Sequence, residues 1–184
     1  MCLKSNIKIK YLRERFFNSK LKELSGNILE LGFGNGQNFQ FYPSNCNITA
    51  IDSKIYYTQE FNNIEIKQYT IDNILPFENQ VFDYIVFSFF MCSIKNQKSI
   101  IKEIHRVLKK QGRIVYLEHI TSDMRFYRFI QKLLVPVTTL FFNKCSLFNK
   151  FSYSLKSTFK LETKVYIPNS IEPYEFGIWI KHST

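Results

Sequence analysis

Three glycines at the end of a strand-like run leave the surrounding chain little freedom. Residues 27–31 read "NILEL", apolar enough for a buried strand, and Gly32, Gly34 and Gly36 follow at alternate positions in "GFGNG". A second strand-like run near 46–51 ends at Asp52, 20 positions after the first glycine. A strand, a glycine turn and a second strand closed by an acid open a parallel sheet whose backbone approaches a ligand closely.

The rest of the chain extends that pattern. Residues 8–24 predict a helix whose broad face carries Ile9, Leu12, Phe16, Phe17, Leu21 and Leu24, with Gly26 past its end. A short helix is expected from Gln37, then strands at 46–51, 64–69 and 82–88. "FDYIVFSF" has the aromatic and β-branched content of a buried parallel strand. Helix 97–109 shows one apolar stripe, Ile100, Ile101, Ile104, Val107 and Leu108, and Lys109, Lys110 and Gly112 are expected to close it. "RIVYLEH" is the next strand, and two late strands are expected near 159–167 and 174–181. The fold class is α/β, Rossmann-like: a mostly parallel sheet with an antiparallel final strand and helices on both faces. One domain, 1–184, is expected, with an N-terminal helix in 1–26.

Ligands of such sheets sit outside the carboxyl ends of the strands. That rule gathers Glu30, Gly32, Phe33, Gly34, Asn35, Gly36, Asp52, Ser53, Asp72, Asn73 and Ser88 as candidate cofactor-binding residues. The dinucleotide fingerprint wants its third glycine at position 37, which is Gln37; here it is Gly36. Glu30, two residues before the first glycine, would repel a pyrophosphate and welcome a cationic amine. S-adenosylmethionine has that amine, a sulfonium and no phosphate. Asp52 is placed to accept hydrogen bonds from its ribose, and Asp72 to meet its adenine amino group. Asp83, just before the apolar part of its strand, reads as a structural residue. No metal site is suggested by spacing, because Cys2, Cys46, Cys92 and Cys145 form no CxxC pair.

Methyl transfer from a sulfonium needs alignment and exclusion of water rather than a covalent intermediate. An acceptor that must lose a proton near neutral pH is helped by a nearby base or positive field. His119, with Glu118 as partner, is the candidate base. Alternation along a strand would point these neighbours to opposite faces. A hydrogen-bonded structural histidine is the competing reading of His119. Cys92 is a second catalytic candidate, against its reading as a small buried apolar residue. Phe89, Phe90 and Met91 fit a pocket wall or the core, and His105 reads as exposed.

The chain resembles the class I S-adenosylmethionine-dependent methyltransferases with a methyltransferase type 11 domain. More narrowly, it resembles the methyltransferase-like thiol S-methyltransferases. The likeness rests on "LELGFGNGQNFQFYPSNCNITAID", "MCSIKNQKSIIKEIHRVLKKQGRIVYLEH", "FIQKLLVPVTTLFFNKCSL" and "IEPYEFGIWIK". It implies S-adenosylmethionine as cofactor and a small, apolar acceptor, with a thiol as one candidate. Departures are "KKQG" where "RPGG" is common, a short stretch between Asp52 and Ile64, and a beginning close to the catalytic domain where the family usually carries an apolar anchor.

The net charge of +10 is spread along the chain without a block of like charges. It is the only motive for RNA as a partner, and "SFFMCS" stands where an N-P-P-Y motif would mark a base-amine methyltransferase. Segment 120–150 mixes Arg125, Arg128 and Lys132 with Phe126, Tyr127, Phe129, Leu133 and Leu134 around Pro136. It suits an acceptor-site cap, a membrane surface or a core-facing helix broken at Pro136. Free thiols and the lack of a long apolar stretch point to the cytoplasm, with peripheral membrane contact as the alternative. Acceptors to be separated are thus a thiol or other apolar small molecule and a lipid such as a phospholipid amine or quinone. A non-catalytic binding protein that keeps the fold is the remaining class.

Overall fold

A computed structural model describes residues 7–55, 61–141, 146, 149, 151–168 and 171–182. Its centre is a seven-stranded sheet in the order β3-β2-β1-β4-β5-β7-β6. The strands are β1 (Gly26–Leu31), β2 (Cys46–Asp52), β3 (Ile64–Gln68), β4 (Phe82–Ser88), β5 (Leu108–His119), β6 (Phe159–Ile167) and β7 (Tyr174–Lys181). β1 pairs in parallel with β2 and β4, β2 with β3, and β4 with β5, whereas β7 runs antiparallel to both β5 and β6. The order reverses direction between β1 and β4, so their carboxyl ends frame the expected crevice.

Alternation along the strands builds a core on each face. Leu29, Leu31, Ile85, Phe87, Ile114 and Tyr116 join Ile100, Ile101, Ile104 and Val107 of α2 (Gln97–Val107) and Phe151 and Leu155 of α4 (Phe151–Leu155). On the other face Ile28, Ile48, Val86, Val115 and Leu117 meet Phe17 and Leu21 of α1 (Ile7–Leu21). Asp83 is structural, as expected: it accepts the Asn27 N–H at 2.9 Å and pairs with Lys109 at 2.8 Å.

Four local expectations are corrected. The helix expected from Gln37 is a single 3-10 turn, Phe39–Phe41. α2 ends at Val107 because Leu108 already pairs with Phe82 in the sheet, and the left-handed residue beyond it is Gln111 (φ 59°) rather than Gly112. The Lys181 ammonium donates to the carbonyls of His105 and Leu108 at 2.7 Å, so a β7 side chain caps the helix that glycine was expected to close. His105 is half-buried, with its ring edge-on to Phe159 at 5.6 Å between centroids.

The fourth correction is α3 (Arg125–Phe141), which runs through Pro136 unbroken. Pro136 lies on the exposed side of the helix. The helix is also turned contrary to its apolar pattern. Gln131 and Thr138 are buried, and Gln131 donates to the carbonyls of Ile120 and Ile171 while accepting the Ser122 N–H. Phe126, Phe129, Leu133, Val137 and Leu140 are 47–76% exposed and lie along one stripe facing outward. No helix among the described residues is long and apolar enough to cross a membrane.

Candidate active site

β1 and β2 deliver the glycine turn and Asp52 to the same place, because Glu30 is level with Ala50 and Leu31 with Ile51 in the parallel register. The Gly32 N–H donates to the Ile51 carbonyl at 2.8 Å, and the Gly34 N–H donates to Asp52 Oδ2 at 2.9 Å. Asp52 therefore shapes the glycine loop as well as ending β2. Its other oxygen accepts from Ser53 Oγ and the Lys54 N–H, each at 3.3 Å. Gly32 and Gly34 are both left-handed (φ 66° and 57°), a conformation costly for residues with a Cβ. Their surroundings differ. A Cβ on Gly32 would meet the Phe90 ring at 2.7 Å, whereas one on Gly34 would meet nothing within 4 Å. Gly34 borders open space, the cradle that a closely approaching ligand requires.

Glu30 is not at an open mouth: it is 1% exposed. Asn38 Nδ2 donates to one of its oxygens at 2.9 Å and the Tyr42 hydroxyl to the other at 2.7 Å. Arg13 of α1 donates to Asn38 Oδ1 at 2.8 Å, tying a cation to the same network. Burial raises the Glu30 carboxyl to about 7, against the lowering pull of Tyr42, Asn38 and Arg13. Burial likewise lowers Arg13 and raises Tyr42. These three partners escaped sequence reasoning. Asn38 and Tyr42 lay in "NFQFYP", the stretch that marked the family, and that stretch holds the buried acid. Phe39 of the same stretch packs on Phe33 at 5.6 Å between ring centroids. The Phe33 side chain is thus committed to the core and leaves its backbone to the site.

The other cofactor-site candidates occupy the rim. Asn35, Ser53, Asp72 and Asn73 are exposed, Gly36 is buried, and Ser88 is half-buried at the end of β4. The loop bearing Asp72 and Asn73 is fastened to α2. Asn73 Oδ1 accepts from Asn96 Nδ2, its carbonyl accepts from Ser99 Oγ, and Glu103 and Arg106 bond the backbone of Leu75 and Phe77.

The residues after β4 form the opposite wall. Phe89 has φ 53°, an uncommon conformation for an aromatic residue, and stacks on His119 at 5.9 Å between centroids. Phe90 and Met91 belong to the core. Together with Lys10, Arg13, Glu14, Gln37, Gln40 and Phe41, Phe89 lines a cavity of about 390 Å³ beneath α1. His119 and Cys92 do not line it; they lie behind Phe89, buried.

Glu118 and His119 converge, contrary to simple alternation at the end of β5. Glu118 Oε1 accepts the N–H groups of Phe90 and Met91 at 2.6 and 2.7 Å, and His119 Nε2 lies 3.2 Å from the Ser146 carbonyl. A carbonyl only accepts, so Nε2 carries the proton and Nδ1 the lone pair. Burial lowers His119 to about 4 and raises Glu118 to about 8, so both side chains favour their neutral forms near pH 7.

The family described as a methyltransferase domain matches residues 29–116. Thiol S-methyltransferase TMT1A of Homo sapiens is 31% identical over 155 residues, covering 73% of this chain and 62% of that protein. Demethylmenaquinone methyltransferase of Staphylococcus haemolyticus is 32% identical over 111 residues, covering 58% of this chain and 45% of that protein. The chain thus spans less than two thirds of the length of these relatives. Among solved structures, N-methyltransferase NodS of Bradyrhizobium japonicum with bound S-adenosyl-L-homocysteine superposes with a TM-score of 0.71 at 15% identity, covering 98% of this chain and 91% of that one. The [4+2]-cyclase SpnF also reaches 0.71, at 13% identity, covering 94% and 81%, so the fold by itself does not name a reaction. The matched domain and these relatives make the chain similar to S-adenosylmethionine-dependent methyltransferases, its strand order and the solved structures give it their Rossmann-like fold, and the cofactor that these likenesses indicate is S-adenosylmethionine.

Proposed function

We propose that the protein transfers the methyl group of S-adenosylmethionine to the thiol of a small, apolar acceptor. The observation that carries this reading is the cavity of about 390 Å³ beneath α1, small-molecule in size, whose wall sets Phe41 and Phe89 among Lys10, Arg13, Glu14, Gln37 and Gln40. The human thiol S-methyltransferase relative supports sulfur as the acceptor atom. In this reading Gly32 to Gly36 and Asp52 hold the cofactor's amino-acid and ribose parts. Ser53, Asp72, Asn73 and Ser88 complete the adenine side, and Glu30, buried behind the turn, holds Asn38 and Tyr42 in place. The acceptor sulfur attacks the methyl carbon in line as the carbon–sulfonium bond breaks, giving a thioether and S-adenosylhomocysteine. The thiol proton leaves before or during attack; His119 and Cys92, the catalytic candidates, are buried behind Phe89 and do not line the cavity, so neither takes that proton directly. Purified protein with cofactor and a panel of alkyl thiols is expected to yield methyl thioethers. Cofactor binding without methylation of any thiol would overturn the sulfur assignment. Binding undetectable at millimolar cofactor would instead favour a non-catalytic protein.

A second reading, a lipid or quinone acceptor taken from a membrane, is favoured by the outward apolar stripe of α3 and by the demethylmenaquinone methyltransferase relatives. α3 carries Arg125, Arg128 and Lys132 and no acid, the composition of a helix lying on an anionic surface. Flotation with vesicles containing phosphatidylserine at low salt is expected to retain the protein. The pair Phe129→Glu and Leu133→Glu should lower that binding roughly tenfold or more. Failure of the unaltered protein to float removes the membrane contact.

A further inference from the structure

Behind Phe89, the carboxyl ends of β4 and β5 bring together a thiol, a carboxylate and an imidazole. Cys92 is 3% exposed and Glu118 and His119 are 0% exposed. One ligand-capable atom from each, Sγ, a carboxylate oxygen and a ring nitrogen, lies within 4.8 Å of the other two. We infer that Cys92, Glu118 and His119 form a binding site for a zinc-class divalent ion, with three protein ligands and a fourth position open toward Phe89 and the acceptor cavity.

Three features support it besides proximity. Buried Glu118 Oε2 has no hydrogen-bond partner, while Oε1 is held by two backbone N–H groups that fix the carboxylate in place. His119 donates its Nε2 proton to a backbone carbonyl, the arrangement that orients a metal-binding imidazole and presents Nδ1 as the ligand. The donor set of S, O and N also suits zinc better than magnesium or calcium. In a tetrahedral zinc site neighbouring ligand atoms stand roughly 3.3–3.8 Å apart, so contraction by about 1 Å closes the cluster. The Cys92 thiol now donates to the Phe89 carbonyl at 3.3 Å, a bond it would give up with its proton on binding metal. Binding releases the proton of the Glu118 carboxyl to solvent along with that of the thiol.

The consequence for chemistry rests on the thiol reading above. A thiol entering the fourth position loses its proton to solvent and is held as thiolate, ready to attack the methyl carbon while S-adenosylhomocysteine departs. That assigns activation to the ion rather than to His119, whose burial makes it a weak base.

Metal content of the purified chain, after exposure to one equivalent of zinc and removal of excess, tests the site without reference to activity. About one zinc per chain is expected, and Cys92→Ser and His119→Gln should each weaken binding at least roughly a hundredfold. Circular dichroism of the variants confirms that they fold. Glu118→Gln, which keeps the backbone hydrogen bonds, gives a second variant should the others fail to fold, and it should weaken binding as well. Cobalt-substituted protein should show thiolate-to-cobalt charge transfer, lost in Cys92→Ser, and its visible bands should shift on adding an alkyl thiol. No retained zinc, or zinc retained equally by the folded variants, overturns the site. A cobalt spectrum indifferent to thiol overturns the open position. Both readouts are separate from methylation, so a metal site in a protein that methylates no thiol remains distinguishable from the failure of the site itself.

Discussion

Glu30→Ala is expected to destabilise the protein by about 3 kcal/mol or more, measured by urea unfolding near pH 7. The carboxyl group is buried and satisfied on both oxygens, and its removal strands the Asn38 amide, the Tyr42 hydroxyl and the nearby Arg13 guanidinium at once. Glu30→Gln should cost less, because it keeps one acceptor. It separates charge from shape through pH. Burial lifts the Glu30 carboxyl from 4.5 to about 7 in the folded protein. The native state therefore holds a proton that the unfolded chain has released between those values. Stability from this group is fully present below about 4.5 and is lost as pH rises through about 7, an effect on the order of 3 kcal/mol. Glu30→Gln removes that dependence, so the stability difference between the two proteins should narrow or reverse as pH rises. A difference that does not change with pH, or a Glu30→Ala cost under about 1 kcal/mol, contradicts this account of the acid.

Much of the sheet was legible because its strands announce themselves by composition and its glycines by position. β6 and β7 fall at the expected 159–167 and 174–181. What escaped depends on long-range contacts. The C-terminal cap of α2 is Lys181, more than 70 residues beyond the helix it serves. The apolar period of α3 was visible, but which side faces the sheet is decided by Gln131, whose amide finds carbonyls on two separate loops. Alternation correctly places the regular parts of β5 and fails at its last pair. There, backbone N–H groups of the turn after β4 draw Glu118 toward Cys92, and Phe89 in its left-handed conformation covers His119. The glycine turn was readable as a tight turn closing β1, with Gly32, Gly34 and Gly36 all left-handed, but its acid was not readable as a buried network. Arg13 comes from an earlier helix, and Asn38 and Tyr42 from a stretch expected to be helical.

Gly32→Ala and Gly34→Ala should separate what the turn does for the fold from what it does for the cofactor. At Gly32 the new methyl group collides with the Phe90 ring at 2.7 Å in a left-handed backbone. Phe90 is packed in the core, and its N–H is fixed on Glu118, so the ring has little room to give. A loss of roughly 2–4 kcal/mol of stability follows from conformational strain plus overpacking. At Gly34 the methyl group meets no protein atom within 4 Å, so the protein bears only the left-handed strain, roughly 1–2 kcal/mol. That same methyl group occupies the open side of the turn, where the cofactor is proposed to lie against the backbone. Gly34→Ala should therefore weaken S-adenosylmethionine binding by about a hundredfold, read by calorimetry on protein shown to be folded. The Gly34 N–H bond to Asp52 sharpens the expectation: any shift of the turn that relieves the methyl group also moves the acid proposed to grip the ribose. Unchanged cofactor affinity in folded Gly34→Ala protein would mean that the cradle lies elsewhere. An affinity loss in Gly32→Ala that merely follows its unfolded fraction would assign that glycine to packing alone.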